Sequence, residues 1–201
     1  MTPAGRKRSE DSRRAILTAA AELMGEVGYA ALSIEGIATR SGTGKQTIYR
    51  WWPSKADVLL EALATKADLH IPLVDERSTD EGSYAADLRA FLAASFALGR
   101  KPQVIEVLRA LMAEAQINPA FGERFRAGFL QRRRDALGVL VDRASTRGDL
   151  PPVPRAGTVA DIVFGVIWYR VLATREPVDD SLVDELVSLL GTPRRGSGSR
   201  P

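Results

Sequence analysis

The amino-acid sequence predicts an all-α protein, with a small N-terminal three-helix domain followed by a larger C-terminal helical domain. Apolar residues recur at three- and four-residue spacing and nowhere alternate with polar residues for long. Glycine and proline punctuate the chain at intervals that suit short and medium helices. The chain has 201 residues, of which 45% are hydrophobic, so it is long enough to bury one large or two small cores.

The first two helices are delimited by cap residues and glycines. Residues 1–8 are predicted to be a flexible basic arm. Ser9, which is followed by two acidic residues, is predicted to cap a first helix that stops at Gly28. Ser33 is predicted to cap a short second helix that ends at Gly42.

A third short helix follows at once. Thr43 and Gln46 have the spacing of a capping box, and Pro53 closes the segment. Two short helices joined by a tight turn on a longer first helix form the three-helix version of a helix-turn-helix. With Ile48 and Trp52 on its inner face, the third helix can lie in a DNA major groove. The predicted contacts from this segment are Thr43, Lys45, Gln46, Thr47, Tyr49, Arg50, Trp51 and Lys55.

The charge distribution favours an anionic partner at the N-terminal end. The formal net charge is +3, and residues 1–55 alone carry nine basic side chains against five acidic ones. A solvated helical surface is the alternative interpretation of this excess. A phosphate-binding P-loop is rejected because Thr39 stands where its first glycine belongs and Gln46 where its magnesium-binding hydroxyl belongs.

Several classes of function are not expected. The chain has no cysteine and a single histidine, His70, so we predict no metal site, no cofactor and no enzymatic activity. The longest apolar stretch, Ile162 to Tyr169, is shorter than the roughly 18 residues of a membrane span. The N-terminus also lacks the apolar segment of a signal peptide. We therefore expect a cytoplasmic protein without a membrane partner.

Residues 13–63 carry a set of short motifs. They include Gly28-Tyr29, Leu32-Ser33-Ile34, Ser41-Gly42 and the run Thr47-Ile48-Tyr49-Arg50-Trp51-Trp52-Pro53-Ser54-Lys55. This set resembles the TetR family of bacterial transcriptional regulators. The resemblance implies a dimeric, all-helical repressor whose C-terminal domain binds a small molecule that weakens operator binding.

The resemblance also implies roles for individual residues. Lys45, Gln46 and Thr47 would face the groove, and Tyr49 and Trp51 would pack on the DNA backbone. The remaining two implied contacts, Ser33 and Lys55, would bind phosphates.

The domain boundary is predicted after Pro53, giving domains at 1–53 and 54–191 and a disordered, Gly/Ser-rich tail at 192–201. Ser54 and Asp57 form a weak capping box at the start of a fourth helix, and a loop is predicted near residues 72–82. Further helices are predicted at about 84–98, 103–117, 120–146, 156–174 and 180–190.

The last two helices predict a homodimer. Residues 156–174 are apolar nearly all round, and residues 180–190 offer more apolar surface than one contact would hide. Together they suggest a four-helix interface between two chains, and burial within one chain is the alternative. The predicted interface residues are Ile162, Val166, Leu182, Leu186, Leu189 and Leu190.

The C-terminal helices also carry many aromatic residues, which predicts a pocket for an apolar effector. A constitutive DNA-binding regulator without effector, or a helical carrier or enzyme for an apolar molecule, are the alternatives. The predicted pocket residues are Phe91, Leu108, Met112, Gln116, Phe125, Phe129, Trp168 and Tyr169.

Overall fold

The computed structural model describes residues 3–70, 80–152 and 154–191, and these ranges contain helices and no β-strand. The prediction of an all-α fold is confirmed. The predicted tail and most of the predicted 72–82 loop lie outside the described residues. The helices are α1 Pro3–Ala31, α2 Ile34–Ser41, α3 Lys45–Trp51, α4 Lys55–His70, α5 Tyr84–Gly99, α6 Pro102–Ile117, α7 Pro119–Phe125, α8 Gln131–Arg147, α9 Ala156–Trp168 and α10 Asp180–Leu190. Two π-helical segments, Arg126–Leu130 and Tyr169–Thr174, continue α7 into α8 and extend α9.

The first helix starts earlier than predicted. It begins at Pro3, so Ser9 is not its cap and residues 3–8 are helical rather than a flexible arm. Gly28 interrupts the helix as expected, because its backbone lies at φ 73° and ψ 172°. One more turn then continues to Ala31.

The turn between α2 and α3 has the predicted glycine but a different cap. Ser33 caps α2 by accepting a hydrogen bond from the Gly36 amide at 3.0 Å, and Gly42 ends it with φ 66°. The predicted capping box at Thr43 is wrong. Gly44 is the N-cap of α3, and the Thr43 hydroxyl instead pairs with Ser41 at 2.8 Å, because the two hydroxyls meet in the turn.

The chain divides into two compact units that do not follow the predicted domains. Of the described residues, the first unit contains 3–67 and 102–129, and the second contains 68–70, 80–101, 130–152 and 154–191. The helix-turn-helix therefore shares a unit with α6 and α7, since α6 packs on α1 and α7 packs on α6. These contacts join segments that are far apart in sequence, so they cannot be predicted from the local sequence pattern of either segment.

In the second unit, α5 packs against α8 and α10, and α9 packs against α8. A cluster of ion pairs joins the C-terminal end of α8 to the start of α5. Arg147 contacts Asp80 at 2.7 Å, Asp87 at 2.9 Å and Asp149 at 3.2 Å, and the Asp87 side chain is buried. The Asp149 carboxylate in turn accepts a hydrogen bond from the Tyr84 amide at 2.6 Å.

The segment Ala156–Thr174, which is α9 with its π-helical extension, is sparsely covered by its own chain. It has 19 residues and a window of mean hydropathy 1.5, which makes it long and apolar enough to cross a membrane by those two criteria alone. The apolar stretch predicted from the sequence, Ile162 to Tyr169, is shorter because Asp161 and Arg170 interrupt the apolar run. Both are engaged at the surface, Asp161 with Arg134 at 2.7 Å and Arg170 with the Pro177 carbonyl at 2.8 Å.

Candidate nucleic-acid interface

The outer face of α3 presents polar side chains to solvent. Lys45, Gln46, Tyr49 and Arg50 are exposed, and Tyr49 is 55% accessible although it is aromatic. Thr47 is half-buried beside them. These residues occupy one short helix, as the sequence predicts.

The inner face of the same helix is anchored in the core. Ile48 is fully buried and Trp52, the C-cap residue of α3, is 3% exposed. The Trp52 indole N–H donates a hydrogen bond to Glu61 Oε2 at 2.9 Å. Arg13 donates two more hydrogen bonds to the Glu61 carboxylate at 2.7 and 2.9 Å, so Glu61 ties α1 and α4 to the end of α3.

Two aromatic contacts continue this anchor toward the surface. The Trp51 and Trp52 rings meet edge to face, with centroids 5.4 Å apart. The Arg50 guanidinium lies 5.1 Å from the centroid of the half-buried Trp51 ring. Arg50 thus remains at the surface with its charge directed over an aromatic face.

Several basic groups of the N-terminal region already have acidic neighbours. Lys45 pairs with Glu35 at 2.9 Å, and this hydrogen bond raises the pKa of Lys45 and lowers that of Glu35. Arg40 pairs with Glu26 at 2.7 Å, which raises the pKa of the guanidinium. Both ion pairs are exposed to solvent and therefore weak. Lys45 or Arg40 can exchange its carboxylate partner for a phosphate.

Lys55 has a structural role that the sequence did not indicate. Its ammonium donates to the carbonyls of Tyr29 at 2.7 Å and Leu32 at 2.8 Å, and it lies 4.4 Å from the centroid of the Tyr29 ring. These contacts close the C-terminal end of α1, whose last carbonyls need donors. Two of the three N–H donors of Lys55 are therefore committed inside the protein.

Two polar links, one from α4 to α7 and one from α1 to α6, lie within the first unit, and sequence reasoning missed both. Arg124 of α7 contacts the buried carboxylate of Asp57 at 2.6 and 3.2 Å, and Ser54 donates to the same carboxylate at 2.7 Å. The Tyr29 hydroxyl donates to Glu114 of α6 at 2.9 Å. The capping-box spacing had marked Asp57, but nothing local to it indicates Arg124.

The predicted effector residues fall into both compact units. Phe91, Leu108, Phe125 and Phe129 are buried, Met112 and Trp168 are half-buried, and Gln116 and Tyr169 are exposed, the latter by 63%. Phe125 and Phe129 stack on each other, with ring centroids 5.7 Å apart. The two cavities described in the first unit are lined by other residues. The predicted pocket therefore stays a prediction.

The side chains predicted to form the dimer interface differ in their exposure. Leu182, Leu186 and Leu190 are buried within one chain because α10 packs on α5, so these three are corrected to core residues. Leu189 is 65% exposed, and Ile162 and Val166 of α9 are half-buried.

Comparison with known proteins identifies the family. The family model for bacterial regulatory proteins of the tetR family matches residues 16–62, and the model for a tetracyclin repressor-like C-terminal domain matches residues 78–190. The HTH-type transcriptional regulator YdeS of Bacillus subtilis is 33% identical over 185 residues, covering 91% of this chain and 89% of the relative. A DNA-binding transcriptional repressor TetR of Mycobacteroides abscessus is 25% identical, with 90% and 92% covered.

Solved structures share the architecture. FadR of Bacillus subtilis, determined in complex with stearoyl-CoA, superposes with a TM-score of 0.69 at 19% sequence identity, covering 89% of this chain and 97% of FadR. The chain belongs to the TetR family of bacterial transcriptional regulators. Its helix-turn-helix is accordingly a DNA-binding element, and no three His, Cys, Asp or Glu side chains in the described ranges lie close enough to hold a metal ion.

Proposed function

We propose that the chain is a cytoplasmic, homodimeric repressor that binds a near-palindromic operator and is released by a small apolar effector. One observation carries the operator contact: α3 exposes Lys45, Gln46, Tyr49 and Arg50 while Ile48 and Trp52 hold its other face in the core. A helix anchored in this way can enter the major groove without losing its own packing.

The side chains divide into two kinds of contact. Gln46 can form two hydrogen bonds to an adenine edge, and Lys45 can donate to a guanine edge once it leaves Glu35. Arg50 suits a phosphate, and so does the Ser33 hydroxyl, whose hydrogen remains available while its oxygen caps α2. The third N–H donor of Lys55 is left for a phosphate as well.

We place the dimer contact mainly on α9. Its poorly covered residues recur at three- and four-residue spacing, as expected for one face of a helix. Leu189 of α10 adds an exposed apolar side chain. In this proposal residues 1–53 bind DNA, and residues 54–191 provide the dimer contact and the effector site. The residues of the proposed α9 face are Thr158, Ile162, Gly165, Val166, Tyr169 and Leu172.

Selection from random DNA duplexes tests the operator proposal. The purified chain should enrich an inverted repeat whose half-sites are about 34 Å apart, or a multiple of that distance, because a two-fold dimer presents two identical recognition helices. Affinity should fall with salt, with a log-log slope of about −0.9 for each phosphate contact. Enrichment of a single half-site, or of no sequence at all, would count against a dimeric operator-binding protein.

Sedimentation tests the proposed dimer face. Val166→Glu places an unpaired charge in the interface and should give monomers, since a buried charge without a partner is costly. Val27→Glu introduces the same charge at an exposed residue of α1 and should leave the dimer intact. Dimers in the Val166→Glu variant would place the interface elsewhere.

The effector proposal draws support from FadR, whose structure holds stearoyl-CoA. An apolar ligand can release the operator only if it prefers one of two arrangements of the protein. Titrating stearoyl-CoA and free stearate into the operator complex should weaken DNA binding about 5- to 150-fold if either resembles the effector. No change with a broad set of apolar compounds would favour the constitutive regulator.

A further inference from the structure

A groove of about 820 Å³ lies between the C-terminal half of α1 and α6, both in the first unit. We call it the α1–α6 groove. Its size falls within the range of small-molecule sites. It shares no residue with the effector pocket predicted from the sequence.

Small residues form part of both walls of the groove. Gly25 and Gly28 stand on the α1 side, and a Cβ built on either would meet nothing within 4 Å. Ala110 and Ala113 stand on the α6 side. Ile117, which is 78% exposed although it is apolar, also lines the groove. A bound apolar group would cover this surface, and binding would be favoured because apolar surface is removed from water.

Among the residues that line the groove, the charges are not balanced, because Glu106 and Glu114 are acidic and Arg109 is basic. Glu106 pairs with Arg109 at 2.6 Å, so these two compensate each other. Glu114 is half-buried and accepts hydrogen bonds from the Tyr29 hydroxyl at 2.9 Å and the Asn118 side-chain amide at 3.4 Å. Both donors are neutral. Burial, followed by the hydrogen bond to Glu114, raises the pKa of Tyr29, so the phenol keeps its proton and carries no charge.

We infer that the α1–α6 groove binds a hydrophobic organic cation, with Glu114 as its counter-charge. A carboxylate in a partly apolar site attracts a cation more strongly than one in open water does. Aryl or alkyl groups on that cation fill the space beside Gly25 and Ala113. An anion of the same shape is repelled by Glu114. This inference does not depend on the proposed repressor function.

Two probes of the same shape and opposite charge test whether the groove prefers a cation to an anion. Tetraphenylphosphonium is a hydrophobic cation, and tetraphenylborate is its anionic counterpart. Calorimetric titration of the full-length protein, without DNA, should give saturable binding of tetraphenylphosphonium and at least fivefold weaker binding of tetraphenylborate. Equal binding of the two ions would contradict the role of Glu114.

Three variants test the location. Gly25→Leu fills the groove from the α1 side, and Ala113→Leu fills it from the α6 side, so each should abolish tetraphenylphosphonium binding. Glu114→Gln keeps an acceptor for the Tyr29 hydroxyl but removes the charge, and it should weaken binding about fivefold. The matched control is Gly138→Leu on α8, which also replaces a helical glycine that has open space around it.

The two glycine variants should both fold, because leucine is a better helix former than glycine. Thermal unfolding checks this, and Ala113→Leu provides the second test if Gly25→Leu does not fold. Loss of binding in Gly25→Leu and Ala113→Leu, with retention in Gly138→Leu, supports the inference. Unchanged affinity in either folded groove variant overturns it.

Discussion

Replacing Glu61 by alanine should destabilise the protein and loosen the recognition helix at the same time. The Glu61 carboxylate accepts hydrogen bonds from Arg13 of α1 and from Trp52 at the end of α3. Glu61→Ala removes the acceptor of the Trp52 indole N–H, which lies in a part-buried position. It also removes a link between α1 and α4.

The magnitude follows from these two losses. An N–H left without an acceptor in a part-buried position costs about 1 to 3 kcal/mol. The Arg13–Glu61 ion pair adds no more than about 1 kcal/mol, because the Arg13 side chain is 47% exposed. We therefore expect Glu61→Ala to lower the free energy of unfolding by about 1 to 4 kcal/mol. Glu61→Gln keeps an acceptor for Trp52 and should cost about 1 kcal/mol.

Urea unfolding and thermal unfolding measure this effect. For a chain of this length, 1 kcal/mol corresponds to a Tm change of about 2 to 4 °C. Glu22→Ala is the matched control, because it removes an exposed carboxylate 3.5 Å from Arg40 and should change stability by less than about 0.5 kcal/mol. A Glu61→Ala variant as stable as the Glu22→Ala control would refute the anchoring role of Glu61.

Three further outcomes follow from the described contacts. Arg147→Met removes the closest cation of the buried Asp87 carboxylate and leaves Arg143 at 4.0 Å, so urea unfolding should show a loss of stability larger than that of Glu22→Ala. Gly42→Ala forces a Cβ into the left-handed region, at φ 66°, and should cost about 1 to 2 kcal/mol in the same assay. Burial raises the pKa of Tyr84 to about 12, above its ordinary value of 10.0. The contribution of protonated Tyr84 to the free energy of unfolding is present below pH 10 and is lost as pH rises toward 12. Denaturant titrations should show this fall in stability, and the fall should be smaller in Tyr84→Phe.

The helix boundaries could be predicted wherever a local residue decides them. Ser33 and Gly42 bound α2, and Asp179 caps α10 by accepting a hydrogen bond from the Leu182 amide at 3.1 Å. Each of these ends depends on a side chain or a glycine within three residues of the helix terminus. The same local logic failed at Thr43, since its hydroxyl had an equally near alternative in Ser41.

The sequence could not indicate contacts between distant segments. The family resemblance implies that Lys55 binds a phosphate, yet the carbonyls of Tyr29 in α1 and of Leu32 just after it accept hydrogen bonds from Lys55. Leu186 lies on the apolar face of the amphipathic helix α10. The sequence pattern does not show whether that face packs on a partner chain or on α5 of the same chain. The pairing of Asp57 with Arg124 joins residues 67 positions apart, and only the tertiary packing brings them together.

The central claim is that the exposed face of α3 binds the operator, and a double variant tests it most directly. Lys45→Ala/Tyr49→Ala removes two exposed side chains of α3 and leaves the buried Ile48 in place. The control Arg126→Ala removes one exposed cation outside the helix-turn-helix. Fluorescence anisotropy with the selected operator, at fixed salt, should show at least a tenfold loss of affinity for the double variant, about 1.4 kcal/mol, and little change for the control. A folded double variant that binds the operator with wild-type affinity would contradict the claim.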